Sequence, residues 1–149
     1  MRLIDSLTKY INCTITEHDE LKIPIHSKVY YRKSTPILSI EKYINILLKL
    51  VKLDNSSGVI LSIIVIFNRI KKTVTISKKT VHRVFLISLI LASKIYEDEH
   101  CQNIFWARLH SQKLDTINNL EIHTLKLLDF NFFISELQMH HVAKNICVK

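Results

Sequence analysis

A chain of 149 residues with one glycine, Gly58, and two prolines has few ways to turn sharply. Sandwiches and barrels need many tight turns built on Gly, Asn or Pro. Dinucleotide folds, phosphate-binding loops and nucleophile elbows each need several glycines close together. Those architectures, and the chemistries they carry, are excluded at the outset. What remains is a chain that turns rarely and packs long regular segments. With 48% hydrophobic residues it is long enough to bury one core as a single soluble domain.

The spacing of apolar residues identifies the segments as helices. Leu3, Ile4, Leu7, Tyr10 and Ile11 mark a short amphipathic helix, and residues 14–35 follow as a mixed, polar arm without a period. After Pro36, Ser39 is placed to cap a helix whose one face holds Ile40, Tyr43, Ile44, Leu47, Leu48 and Val51. The string DNSSG at 54–58 predicts its end. VILSIIVIFNRI comes next, β-branched enough for a strand but long and without a hairpin partner, which favours a buried helix. Val81–Tyr96 is apolar almost all round and reads as the central helix. A shorter helix is expected over 103–110, another over 116–128 capped by Asp115, and a last one after Ser135. The expectation is an all-α bundle of five core helices with one further helix at each end. Its division is 1–35 for the leader and arm, 36–134 for the bundle and 135–149 for the last helix.

Side-chain chemistry points away from catalysis. Cys13, Cys101 and Cys147 are odd in number and widely spaced, which suits a reducing, intracellular compartment, cytoplasm or nucleus. No secretory signal or membrane-spanning stretch is expected. Of the eight histidines, His100 with Cys101 and His110, and the adjacent His140 and His141, match no zinc spacing, so no metal and no cofactor is expected. Glu97, Asp98 and Glu99 have no nucleophile to serve, and no small-molecule substrate is implied. Residues 55–83 carry six basic side chains, Arg69, Lys71, Lys72, Lys78, Lys79 and Arg83, with no acidic one. Such a run is more often a solvated loop than a phosphate-binding patch, and it lacks interleaved aromatics. Lys94 and Glu121 interrupt otherwise apolar faces. Each either reaches solvent along its own stem or marks an interface.

Five strings decide between those readings: SIEKYI at 39–44, IFNRI at 66–70, TVHRVFLISLILASKIYED at 80–98, NIFWAR at 103–108 and NNLEIHTLKLLDFNF at 118–132. In this order and spacing they resemble a cyclin box, and specifically the P-type or U-type cyclins associated with phosphate-responsive kinases. The resemblance covers about two thirds of the chain. It implies the five-helix cyclin fold and a heterodimer with a cyclin-dependent protein kinase, which this chain activates without being an enzyme itself. It places Lys94 and Glu121 at the kinase interface, with Ile95, Leu125 and Phe132 as apolar neighbours packing on the kinase's mobile helix. The pathway, whether phosphate signalling, polarity or the cell cycle, stays open.

Departures from the family pattern are local. Asn68–Arg69 stands where the family has an Asp-Arg pair, Leu109–His110 where P-type cyclins carry Gly-Gly, and Thr116 where an acidic residue is usual. No M-R-A-I-L string occurs, so the substrate-docking patch of mitotic cyclins does not transfer. Two alternatives stand beside the activator: a basic, transcription-associated cyclin-fold module that binds nucleic acid, for which one box argues poorly, and a cyclin scaffold that binds without activating.

Overall fold

The structure is a computed structural model that describes residues 2–16, 28–32 and 36–148. Among them are seven α-helices: α1 (Leu3–Thr14), α2 (Ile40–Leu50), α3 (Ser57–Lys71), α4 (Val81–Tyr96), α5 (Asn103–Leu109), α6 (Leu114–Leu127) and α7 (Glu136–Val148). The all-α bundle with a helix at each end is therefore present.

The core is the pair α3 and α4, which make the most extensive helix-to-helix contact in the molecule. Val59, Ile60, Ile63–Phe67 and Ile70 of α3 are buried, as is every residue from Val84 to Ser93 of α4. Hydroxyls inside this apolar pair are satisfied locally. Ser62 donates to the Gly58 carbonyl at 2.6 Å and Ser88 to the Val84 carbonyl at 2.7 Å, so neither is left unpaired in a medium that penalises it. α2 carries Ile40, Ile44, Leu47 and Leu48 and packs on α4 and α1, while α1 adds Ile4, Leu7 and Ile11 and packs on α3 as well. α7 packs on both α3 and α1, bringing the two end helices together.

Helix ends follow their predicted chemistry in two places and depart from it in two. Ser39 accepts the Lys42 amide at 3.4 Å. Ser135 accepts the Gln138 amide at 3.2 Å while the Gln138 side chain accepts the Ser135 amide at 3.0 Å, a reciprocal capping box. Asp115, by contrast, is not a cap: α6 begins at Leu114 and the carboxylate lies in its first turn, where it complements the helix dipole. DNSSG is not the stop for α2 either. The helix ends at Val51 and Lys52, with Lys52 in the left-handed region at φ 59°, while Gly58 sits in the first turn of α3. Ser111, Asp129 and Phe130 also have positive φ, so the sharp turns fall on residues other than the one glycine. Each carries a steric cost of about 1–2 kcal/mol relative to glycine.

The polar arm contributes to the core, which its lack of period concealed. Tyr30 is fully buried, and its hydroxyl shares a 2.7 Å hydrogen bond with Thr124 of α6. Burial pushes the phenol up to about 12, with the Thr124 bond acting weakly the other way. Arg83 of α4 donates to the Val29 carbonyl at 3.0 Å, and the Arg32 amide donates to the Lys79 carbonyl at 3.0 Å. Among the described residues no helix is long and apolar enough to cross a membrane.

Candidate interface on helices α4 and α6

The last turn of α4 leaves the core. Ser93 is buried, Lys94 is half-buried, and Ile95 and Tyr96 are exposed, Ile95 to 42%. Glu121 occupies the facing position on α6. Lys94 Nζ donates to Glu121 Oε1 at 2.6 Å, with the two side chains 27% and 15% exposed. It donates also to Asn103 Oδ1 at 2.9 Å, and Asn103 Nδ2 donates to Glu121 Oε2 at 2.6 Å and to Asn118 Oδ1 at 2.8 Å. The result is a closed polar network that ties α4, α5 and α6 at one rim.

The two charges expected to stand alone on apolar faces are thus partners. Desolvating each would be unfavourable by itself; together, with two asparagines completing their hydrogen bonds, they are held at the protein surface at low cost. The network fixes both side chains in one geometry, and each keeps partial exposure to solvent. Around it lie the predicted apolar neighbours. Leu125, one helical turn after Glu121, and Phe132, beyond the end of α6, are half-buried against the core. Ile95 is the exposed one of the three.

Asn103 and Asn118 head two of the family-like strings but were given no role in the sequence; Asn118 lies three residues before Glu121 and so shares its helix face. Other residues here were not singled out at all. Ile122 is half exposed, and Phe130 and Phe133 are 63% and 77% exposed. Arg69 holds that phenylalanine-rich stretch in place. Its guanidinium donates to the Asn131 carbonyl at 3.1 Å, the Phe133 carbonyl at 2.7 Å and Gln138 Oε1 at 3.4 Å. Asn68 instead accepts the Tyr10 hydroxyl at 2.6 Å. The Asn68–Arg69 departure therefore trades one pair for two separate ties, to α1 and to the segment after α6.

Against this geometry, a family model described as "Cyclin" matches residues 6–132. The chain belongs to the cyclin family. Among curated proteins, this cyclin is 30% identical to PHO85 cyclin-like protein psl1 of Schizosaccharomyces pombe over 129 residues, 80% of this chain and 52% of that protein. It is 27% identical to Cyclin-U3-1 of Arabidopsis thaliana over 142 residues, 93% of this chain and 63% of the relative. With Cyclin-P1-1 of Oryza sativa subsp. japonica it shares 36% identity over 73 residues, 46% and 28% of the two chains. The chain thus spans less than two thirds of the length of these relatives.

Some of the remaining candidate residues of this cyclin are held in structural contacts. His110 accepts the Tyr43 hydroxyl at 2.8 Å and donates from Nδ1 to the Trp106 carbonyl at 2.8 Å. Among the described residues no group of three His, Cys, Asp or Glu side chains is placed to hold a metal ion. The basic run is partly engaged: Lys71 lies over the Tyr10 ring at 5.6 Å, Lys79 over the Tyr31 ring at 5.4 Å, and Arg83 on the arm carbonyls. Lys72 and Lys78 remain exposed. At the Gly-Gly departure Leu109 ends α5 and His110 caps it at φ −98°, so neither needs a glycine's freedom, and the left-handed step falls on the next residue, Ser111, at φ 51°.

Proposed function

We propose that this cyclin is the regulatory subunit of a cyclin-dependent protein kinase, with residues 36–134 as the binding unit and Lys94, Ile95, Glu121, Leu125 and Phe132 at the contact. The observation that carries the reading is the Lys94–Glu121–Asn103 network at the edge of exposed Ile95 and Ile122. A preorganised charge pair beside apolar side chains is what a protein partner recognises, because its ordering cost is met before binding. Relatives named as PHO85 cyclins support a partner of the same kinase class.

The mechanism is a population shift rather than chemistry. An inactive kinase has its αC helix swung out, separating the αC Glu from the strand Lys that positions the ATP phosphates. A surface that binds only the swung-in state moves that equilibrium by its differential affinity for the two states. The α3–α4 core stiffens the platform, and the network on α4 and α6 fixes the contact residues. The regulator acts in the cell interior and contributes no catalytic group.

The test is reconstitution. The wild-type chain is expected to co-purify with a protein kinase and raise its activity, whereas Ile95→Asp, an exposed position, abolishes both and leaves the fold unchanged. Binding without a rise in kinase activity would make the chain a scaffold, and full binding by Ile95→Asp would move the interface elsewhere. Neutralising Lys71, Lys72, Lys78 and Lys79 leaves kinase binding unchanged.

A further inference from the structure

At the opposite end of α4 a cavity of about 220 Å³ opens between the arm, α2, α4 and α6. Its polar lining includes Arg32, Arg83, His82, His110 and Tyr43, with Gln112, Thr116 and Asn119 on the α6 side. None of the lining side chains is a carboxylate. Among the described residues neither Arg32 nor Arg83 has an acidic partner: Arg83 donates only to the backbone carbonyls of Val29 and Tyr31. His82 is buried, donates from Nε2 to the Leu38 carbonyl at 2.8 Å, and among the described residues has no partner for Nδ1.

Two guanidinium groups placed together with no acidic partner among the described residues are an unfavourable arrangement that an anion relieves. Burial, and then the neighbouring Arg32 charge, pulls the Arg83 guanidinium below its ordinary value. Position adds to the effect. Arg83 lies in the first turn of α4, where the helix dipole is itself positive, so dipole and side chains attract the same sign of charge.

We propose that this cavity is a phosphoryl-binding site, in which Arg32 and Arg83 clamp the dianion and Gln112, Thr116 and Asn119 supply further hydrogen bonds. The volume is below the roughly 300–1,000 Å³ of sites for larger organic ligands, so the occupant is a small group. Arginine forks match phosphate oxygens two at a time, which selects a tetrahedral dianion over chloride. The bound group bridges the arm to α4 and so fastens residues 28–32 to the bundle. It arrives either as free orthophosphate or as a phosphorylated side chain, which share this chemistry.

The full chain is titrated with orthophosphate and, separately, with phosphoserine, against chloride at matched ionic strength, by calorimetry and thermal melting. Saturable one-to-one binding with a raised Tm is expected. Orthophosphate binding identifies the free ion as an occupant, and binding of phosphoserine alone identifies a phosphorylated side chain. Arg32→Gln weakens binding by about tenfold or more while the unliganded Tm stays near that of the wild type. Arg83→Lys, which keeps the charge but loses the fork, weakens it several-fold and serves if Arg32→Gln fails to fold. Lys71→Gln/Lys72→Gln leaves it unchanged. Binding of neither probe above chloride overturns the assignment. So does binding that survives Arg32→Gln but is lost with the loop lysines.

Discussion

The two ends of α4 carry the same charge and solve it differently. At the C-terminal end, Lys94 sits where the helix dipole favours a cation and also has Glu121 and Asn103 within hydrogen-bond reach. At the N-terminal end, Arg83 sits where the dipole disfavours a cation, lies near Arg32, and among the described residues has only backbone carbonyls as acceptors. One end has its charges paired, as the proposed docking surface requires. The other is unbalanced within the described residues, fit to take a charge from outside.

The largest expected effect breaks the N-terminal end. Tyr30→Ala removes a fully buried aromatic that anchors the arm, and a loss of about 3–5 kcal/mol is expected in urea unfolding. Phosphate stabilisation vanishes with it. Tyr30→Phe, which loses only the Thr124 bond, costs about 1 kcal/mol. An equal effect of both would show that the ring itself is not packed.

Next in size is the C-terminal end. Glu121→Ala leaves Lys94 with Asn103 alone, for about 1–3 kcal/mol of stability. The double variant Lys94→Ala/Glu121→Ala loses less than the sum of the single ones, with a coupling of about 0.5–3 kcal/mol. Strict additivity in the denaturation cycle would mean that the two charges do not interact in solution. Kinase binding falls in every member of the cycle, so loss of binding by the double variant beyond its loss of stability separates contact from support.

Acidification sharpens the comparison further. Burial holds both His82 and His110 below the ordinary imidazole value, against backbone hydrogen bonds that act the other way, and the Arg32 charge adds to the depression. A depressed value means that the unfolded chain takes up protons first as pH falls. These histidines therefore contribute stability that is complete above about pH 6.5 and is lost as pH drops through their folded values. Melting curves between pH 7.5 and 5 are expected to show this loss, and His110→Gln to flatten it. Smallest is Ser111→Gly, which relieves a left-handed backbone between α5 and α6 and raises stability by about 0.5–1 kcal/mol. No gain in Tm would mean that the turn is unstrained.

Helices were legible because their apolar residues recur at 3.6-residue spacing and because α3 and α4, greasy on every side, can only be central. Ser39 and Ser135 were legible as caps because their hydroxyls act on amides three residues away. Asp115 misled because an acidic side chain is favourable both at the cap and just inside it. Tyr30 was hidden, since a single aromatic in a polar arm has no period to betray it. The family motifs singled out Lys94 and Glu121, but their mutual pairing depends on how α4 crosses α6, 27 residues apart in the chain.

By itself, then, the sequence determined that the chain turns rarely, folds into helices around one apolar pair, and carries the motifs of a cyclin box. Those properties are local, set by backbone sterics and side-chain periodicity over a few turns. Only the tertiary structure decided which charges meet. It joined Lys94 to Glu121, with Asn103 bonding both, and set Arg32 beside Arg83 with no acidic partner among the described residues. Electrostatic pairing depends on distance in space, and sequence separation does not encode it.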